Sequence, residues 1–197
     1  MISSVPMHAA DSRAEALKAA TRPAHEALDQ RIMSARPFEN EQRYGRFLMM
    51  QQALHHDAEP LYENAALAGC FGDLAHRTRL RAVMLDADDL GVRLNLAGHL
   101  PVCTGMDLPE ALGWLYVMEG SNLGAAFLAK AASRIGFSET HGARHLAEAP
   151  AGRAGQWRDF RRALDSVALR PADEARVIEG ANSAFNRARQ LVEMYMS

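Results

Sequence analysis

Cysteine is nearly missing from this chain of 197 residues, with Cys70 and Cys103 the only two. Two thiols do not make a disulfide framework, and no Cys-x-x-Cys pair or Cys/His zinc spacing occurs. An excess of positive charge is missing as well. Twenty-two Lys and Arg stand against 24 Asp and Glu, a net charge of −2 with a pI near 6.4. That balance argues against a surface built to neutralise nucleic-acid phosphates. The most apolar stretch, 111–132, holds Glu119, Asn122 and Lys130 and is rich in glycine, so it reads as a buried helix and not a membrane span. Met1 to Asp11 lacks the basic stretch and apolar core of a signal peptide. A soluble cytoplasmic protein is the expectation. β-Branched residues are scarce too: 4 Ile, 8 Val and 4 Thr stand against 36 Ala and 22 Leu. Strand formers are few and strong helix formers dominate, which points to an all-α domain.

What is present fits one ordinary globular domain. Apolar residues make up 48% and charged residues 23%, and a chain of this length can bury roughly 70% of its unfolded surface without staples. Residues 1–10 are expected to form a flexible segment and 11–197 the domain. Asp11 is placed to cap a first helix with Ala14, Leu17, Ala20, Ala24, Leu28 and Ile32 on one side, and Pro23 is expected to kink or restart it. A second helix runs from about Glu41 to Pro60 or just beyond, with a stripe of Tyr44, Phe47, Leu48, Leu54, Ala58 and Leu61. A shorter helical piece covers 73–88, and 90–107 is a long connection punctuated by Gly91, Gly98, Pro101 and Gly105. The most apolar helix spans 108–135, capped by Asp107 with Pro109 in its first turn. A loop over 136–152 follows, then helices over about 153–167 and from Asp173 onward. The sum is an irregular helical bundle.

Three constellations stand out. Lys18, Arg22, His25 and Asp29 follow one another at spacings of three and four, which puts His25 and Asp29 one helical turn apart. A carboxylate there can accept the second ring N–H of an imidazole that ligates a metal; the same spacing also suits a solvated face of ordinary ion pairs. Gly113, Tyr116, Gly120, Gly124 and Phe127 share the helical spacing on the apolar helix. Each helix-interior glycine costs about 1 kcal/mol against alanine, so the row needs either close helix packing or a flat ligand laid on bare backbone. Gln51, His55 and His56 lie on the second helix, and His141 and His145 in the later loop. None of the thirteen glutamates has His three residues on, which disfavours a carboxylate di-iron bundle. No Gly-x-Ser-x-Gly elbow, phosphate-cradling loop or covalent haem motif is present.

The segment from Gly113 through Gly120-Ser-Asn-Leu-Gly124 to Lys130 resembles the distal helix of bacterial haem oxygenases, and Thr21-Arg-Pro-Ala-His-Glu-Ala-Leu-Asp29 resembles their proximal helix. His141-Gly-Ala-Arg-His-Leu-Ala147, Trp157 and Ala184-Phe-Asn-Arg187 continue the likeness, which covers nearly all of the chain after the first ten residues. The resemblance implies a single all-helical domain with haem b between proximal and distal helices. It implies cleavage of the porphyrin at a meso carbon, with O2 and electrons, to biliverdin, CO and Fe2+.

Carried over by position, His25 is the axial iron ligand and Asp29 the carboxylate that orients it. Gly120 and Gly124 let the distal backbone approach the iron-bound O2, and Gln51, His55 and His145 match positions of a distal network that orders water. Lys18 and Tyr116 match positions that hold the propionates and select the α-meso carbon. Ser121 stands beside the first distal glycine, where the vertebrate enzymes carry an aspartate. The implied partners are an external electron donor (a ferredoxin, a flavodoxin or a reductase) and a downstream bilin-binding phytochrome; neither nucleic acid nor membrane is expected, and the chain is expected to be a monomer. Two other readings stay open on the residues alone: a haem-binding or storage protein without turnover, and a thiaminase-like relative of the same fold that binds no haem.

Overall fold

Short polar side chains start the long helices, because they satisfy backbone N–H groups that the first turn leaves free. The computed structural model describes residues 12–197. In it α1 (Arg13–Ser34) begins at Ser12, whose side chain accepts from the Glu15 N–H at 3.1 Å. Ser12 and Glu15 have the spacing of a capping box, so the cap sits one residue later than Asp11, which lies outside the described residues, as does the segment 1–10. Asn40 caps α2 (Glu41–Tyr62) by accepting from the Arg43 N–H at 2.9 Å. Asp107 caps α5 (Leu108–Ser133) by accepting from the Glu110 N–H, with Pro109 in the first turn as expected.

Other boundaries differ for physical reasons. α1 runs through Pro23 without interruption. Pro23 and Ala19, whose carbonyl loses its helical partner, are both exposed to water, while Thr21 turns its hydroxyl back to the Leu17 carbonyl at 2.8 Å. The expected helix over 73–88 is instead a 3-10 turn, Leu74–His76, followed by α4 (Leu80–Asp89). Arg77 reaches Glu119 at 3.1 Å while Arg79 reaches the carbonyls of His145 and Ala147 at 2.7 and 2.9 Å. Residues two apart on a helix point to opposite sides, so the backbone breaks to send both arginines inward. A six-residue α3 (Ala65–Cys70), capped by Asn64, is too short for its periodicity to show in the sequence. α6 (Arg153–Ser166) and α7 (Pro171–Tyr195) complete the chain, and no strand occurs among the described residues. No helix among them is long and apolar enough to cross a membrane.

α7 is the hub, packing against α5, α1 and α2. Its approach to α5 is backbone on backbone. A Cβ on Gly113 would lie 2.0 Å from the Val177 carbonyl oxygen, and one on Gly180 would lie 2.3 Å from the Glu110 oxygen. Gly113 therefore answers to helix packing and not to the face that holds Gly124. α1 is clipped to α7 near both of its ends. Arg13 takes both oxygens of Glu174, at 2.9 and 2.8 Å, and the Val167 carbonyl at 2.9 Å; near the other end Arg31 grips Glu193 at 2.7 and 2.9 Å. The core falls into two clusters. One centres on Leu112, Trp114, Leu115 and Phe160 between α5, α6 and α7; the other on Tyr44, Phe47, Phe137 and Leu191. α1 and α5 both rest on α6 and α7 while making few contacts with each other.

Candidate functional site

α5 changes character halfway along. From Ala111 to Glu119 every residue but Val117 is buried, whereas Ser121, Leu123, Gly124, Ala126 and Phe127 are exposed. Phe127 is 63% exposed and Leu123 42%, a large share for apolar side chains on the most apolar helix of the chain. The glycines in this stretch differ. A Cβ on Gly120 would meet the Trp157 ring at 3.5 Å, an ordinary contact, while one on Gly124 would find nothing within 4 Å. The backbone at Gly124 is bare because space lies over it.

On α1, His25 is 60% exposed at its side chain, and its Nδ1 stands 3.2 Å from Asp29 Oδ2. The ring sits edge-on to Phe185 of α7, with centroids 5.9 Å apart. Nδ1 faced by a carboxylate leaves Nε2 as the atom presented outward. Lys18 and Arg22 lie exposed on the same helix. Tyr116 is buried at the α5–α6 contact, 5.5 Å ring to ring from Trp157. Burial raises its pKa, against the pull of Arg161, while Glu15 adds to the rise. Arg161, one turn beyond Trp157 on α6 and ion-paired with Glu15 of α1, thus ties α6 to α1 close to Tyr116. Sequence reasoning missed Arg161; its spacing of four from Trp157 was the available signal.

The polar residues of α2 and the later loop gather behind α5. His55 is buried, and burial first, then its neighbours His145 and Arg79, lowers its pKa to about 3. His145, in the 3-10 turn Arg144–Leu146, is buried as well; its Nδ1 lies 2.8 Å from Asp86 Oδ2 on α4, and its Nε2 has no partner. Gln51 is half-buried one turn before His55. Its neighbour Gln52 is structural, bridging Val92 and Leu94 of the long connection. The Ser121 hydroxyl donates to the Met118 carbonyl at 2.7 Å. Glu119, beside Gly120, turns away into the core, where it accepts from Tyr62 at 3.2 Å and from Arg77 at 3.1 Å. Burial pushes its pKa up, opposed by Arg77. Among the described residues no three His, Cys, Asp or Glu side chains converge to hold a bare ion. A metal bound at His25 has to bring most of its ligands with it, as a porphyrin iron does.

Comparisons with known proteins bear on the family and the fold. A family model described as heme oxygenase matches residues 11–194. The chain is 41% identical over 181 residues to heme oxygenase PigA of Pseudomonas aeruginosa, covering 92% of this chain and 91% of that protein. Among solved structures, the heme oxygenase of Neisseria meningitidis, determined with NO and CO bound, superposes with a TM-score of 0.89 at 37% identity, over 95% of this chain and 93% of that one. The heme oxygenase of Leptospira interrogans shares the fold, with a TM-score of 0.77 at 18% identity, over 93% of this chain and 100% of that one.

Proposed function

The chain belongs to the haem oxygenase family, and we propose that a gap between α1 and α5 would hold haem, with His25 as the residue that would bind its iron and the Gly120–Gly124 backbone as the part of α5 that would leave room for O2. The protein is a haem oxygenase, an enzyme that uses O2 and reducing equivalents to open the porphyrin at a meso carbon, giving biliverdin, CO and Fe2+. One observation supports the proposed placement: α1 and α5 share α6 and α7 as supports with few contacts between them, and α1 carries an exposed imidazole backed by a carboxylate while α5 carries an exposed apolar stretch with a bare glycine. Bound there, the haem iron supplies the site at which O2 is held and reduced.

The chain's own residues divide the remaining work. Asp29 accepts the Nδ1 proton of His25, which fixes the ring and makes Nε2 a stronger donor to the metal. Gly120 and Gly124 leave room above the ring that any side chain would fill. Leu123 and Phe127, apolar and exposed, would cover the bound porphyrin and exclude water. Lys18, Tyr116 and Arg161 would hold the propionates, a constraint that would favour the α-meso carbon. Residues 120–124 of α5 carry no acid or base side chain, so protons reach the oxygen through water ordered by Gln51, His55 and His145. His55, with its lowered pKa, stays neutral at working pH and serves as hydrogen-bond donor and acceptor, not as a stored charge. The reading takes the protein to be a soluble cytoplasmic monomer supplied by a ferredoxin, flavodoxin or reductase, with a bilin product suited to a phytochrome-like receptor.

The test is turnover. Hemin-loaded protein given a reductant in air is expected to lose its Soret band and yield biliverdin IXα by chromatography. A Soret band that persists overturns the placement of haem for turnover, and mainly β or δ isomers overturn the roles of Lys18 and Tyr116.

A further inference from the structure

Asp86 is a fully buried carboxylate that the account above leaves unused. It lies on α4, outside the gap, and four donors converge on it. Oδ1 accepts from the Arg144 N–H at 2.9 Å and from Arg144 Nη1 at 3.0 Å; Oδ2 accepts from the His145 N–H at 2.9 Å and faces His145 Nδ1 at 2.8 Å. Burial by itself would raise its pKa, but the hydrogen bonds from the His145 ring and from the His145 and Arg144 backbones outweigh it and the net shift is downward. A carboxylate in this state only accepts, so Nδ1 of His145 carries the proton. In the neutral ring Nε2 is then a bare lone pair, and Nε2 is the buried atom with no partner in the protein. An unpartnered buried polar atom is costly unless something outside the chain fills it.

Charged and titratable groups surround this pair, among them Arg153 of α6, which donates to the Leu146 carbonyl at 2.6 Å. Arg144 also binds Asp89, which stands 3.2 Å from His141; Tyr44 of α2 is close enough to feel the Asp86 charge; His55 and Arg79 border His145. Phe47 closes one side, its ring centroid 6.2 Å from that of His145.

We propose that Asp86 is a positioning residue for haem cleavage: by accepting a hydrogen bond from Nδ1–H of His145 it holds that imidazole as the tautomer whose Nε2 accepts a hydrogen bond from ordered water on the oxygen side. The proposal rests on the placement of His145 in the distal network, and it adds the group that decides which way that network donates. Asp86→Asn keeps the size but puts an NH2 where one oxygen was. The amide nitrogen turned toward His145 meets Nδ1 as a donor and drives the proton to Nε2, so the hydrogen bond to water reverses.

Long-range 1H–15N spectra of the haem-free, 15N-histidine-labelled protein read this directly, without turnover. The wild type is expected to show His145 with Nδ1 protonated and Nε2 bare, and Asp86→Asn the reverse. A wild-type ring protonated at Nε2 overturns the proposal, and this holds even if the variant fails to fold. In a folded variant, turnover of the haem complex is expected to fall roughly tenfold, the scale of outer-shell changes, with hemin affinity unchanged. Added to His145→Ala, Asp86→Asn is expected to cost less than a further twofold; another tenfold loss shows that Asp86 acts by some route other than His145 and overturns the proposal. Failure of the haem placement would appear separately, as wild-type protein that binds hemin away from the gap while the tautomer is as stated.

Discussion

Gly124→Ala sets stability against function at one atom. A glycine inside a helix costs about 1 kcal/mol relative to alanine, through backbone entropy and exposed backbone. At most buried glycines a methyl would meet a neighbour; here a Cβ finds nothing within 4 Å, so no steric cost offsets the gain. The haem-free variant is expected to be more stable by about 1 kcal/mol, which for a domain of this size raises Tm by roughly 2–4 °C. With haem in the gap the same space is the oxygen side. Gly124→Ala is expected to slow turnover, and Gly124→Leu, which projects several carbons further, to abolish it. Thermal unfolding by circular dichroism and bilin formation under reductant in air check the two halves. A haem-free Gly124→Ala protein less stable than wild type would show that the face is packed and not open, and a Gly124→Leu variant with undiminished turnover would refute the claim that oxygen is held there.

Gly113→Ala is expected to do the opposite. Its Cβ would lie 2.0 Å from the Val177 oxygen and 2.5 Å from the Ala181 nitrogen, so α5 and α7 must separate, at a cost of about 3 kcal/mol or more, read as a fall in urea midpoint. His55 gives a pH dependence. Its folded pKa of about 3 lies below the unfolded value near 6.5, so the unfolded state binds more protons in between. Its contribution is complete above pH 6.5 and shrinks by about 1.4 kcal/mol per unit as pH falls toward 3; subtracting the stability curve of His55→Gln isolates that slope, and a flat difference contradicts it. Lys18→Ala with Tyr116→Phe is expected to loosen the ring's rotation and spread the bilin product over several isomers, seen by chromatography, whereas unchanged isomer ratios remove both residues from regiochemical control.

Local patterns were legible in the sequence, and distant contacts were not. Asp107 and Pro109 announce the start of α5, the stripe from Tyr44 to Leu61 marks the buried side of α2, and the spacing of four from His25 to Asp29 puts carboxylate and imidazole together. Each of these is settled within a few turns of one helix. The glycines of α5 look alike in sequence because the difference lies elsewhere: the Val177 carbonyl presses on Gly113, and nothing covers Gly124. The break before α4 depends on Arg77 and Arg79 finding partners on α5 and in the 145–147 turn. Asp86 carries no motif and Arg161 only its spacing of four from Trp157; their positions become meaningful once α4 meets the later loop and α6 meets α1.

The measurement closest to the centre of the account is a hemin titration of the wild type and of His25→Ala, followed by absorption and electron paramagnetic resonance. The wild type is expected to take up one hemin with the spectrum of an imidazole-ligated ferric haem. His25→Ala should retain its helical fold, since that imidazole is largely exposed, but lose the ligation signature and recover it with added imidazole. A His25→Ala protein whose haem spectrum matches the wild type without imidazole would place the iron on another residue and contradict the account.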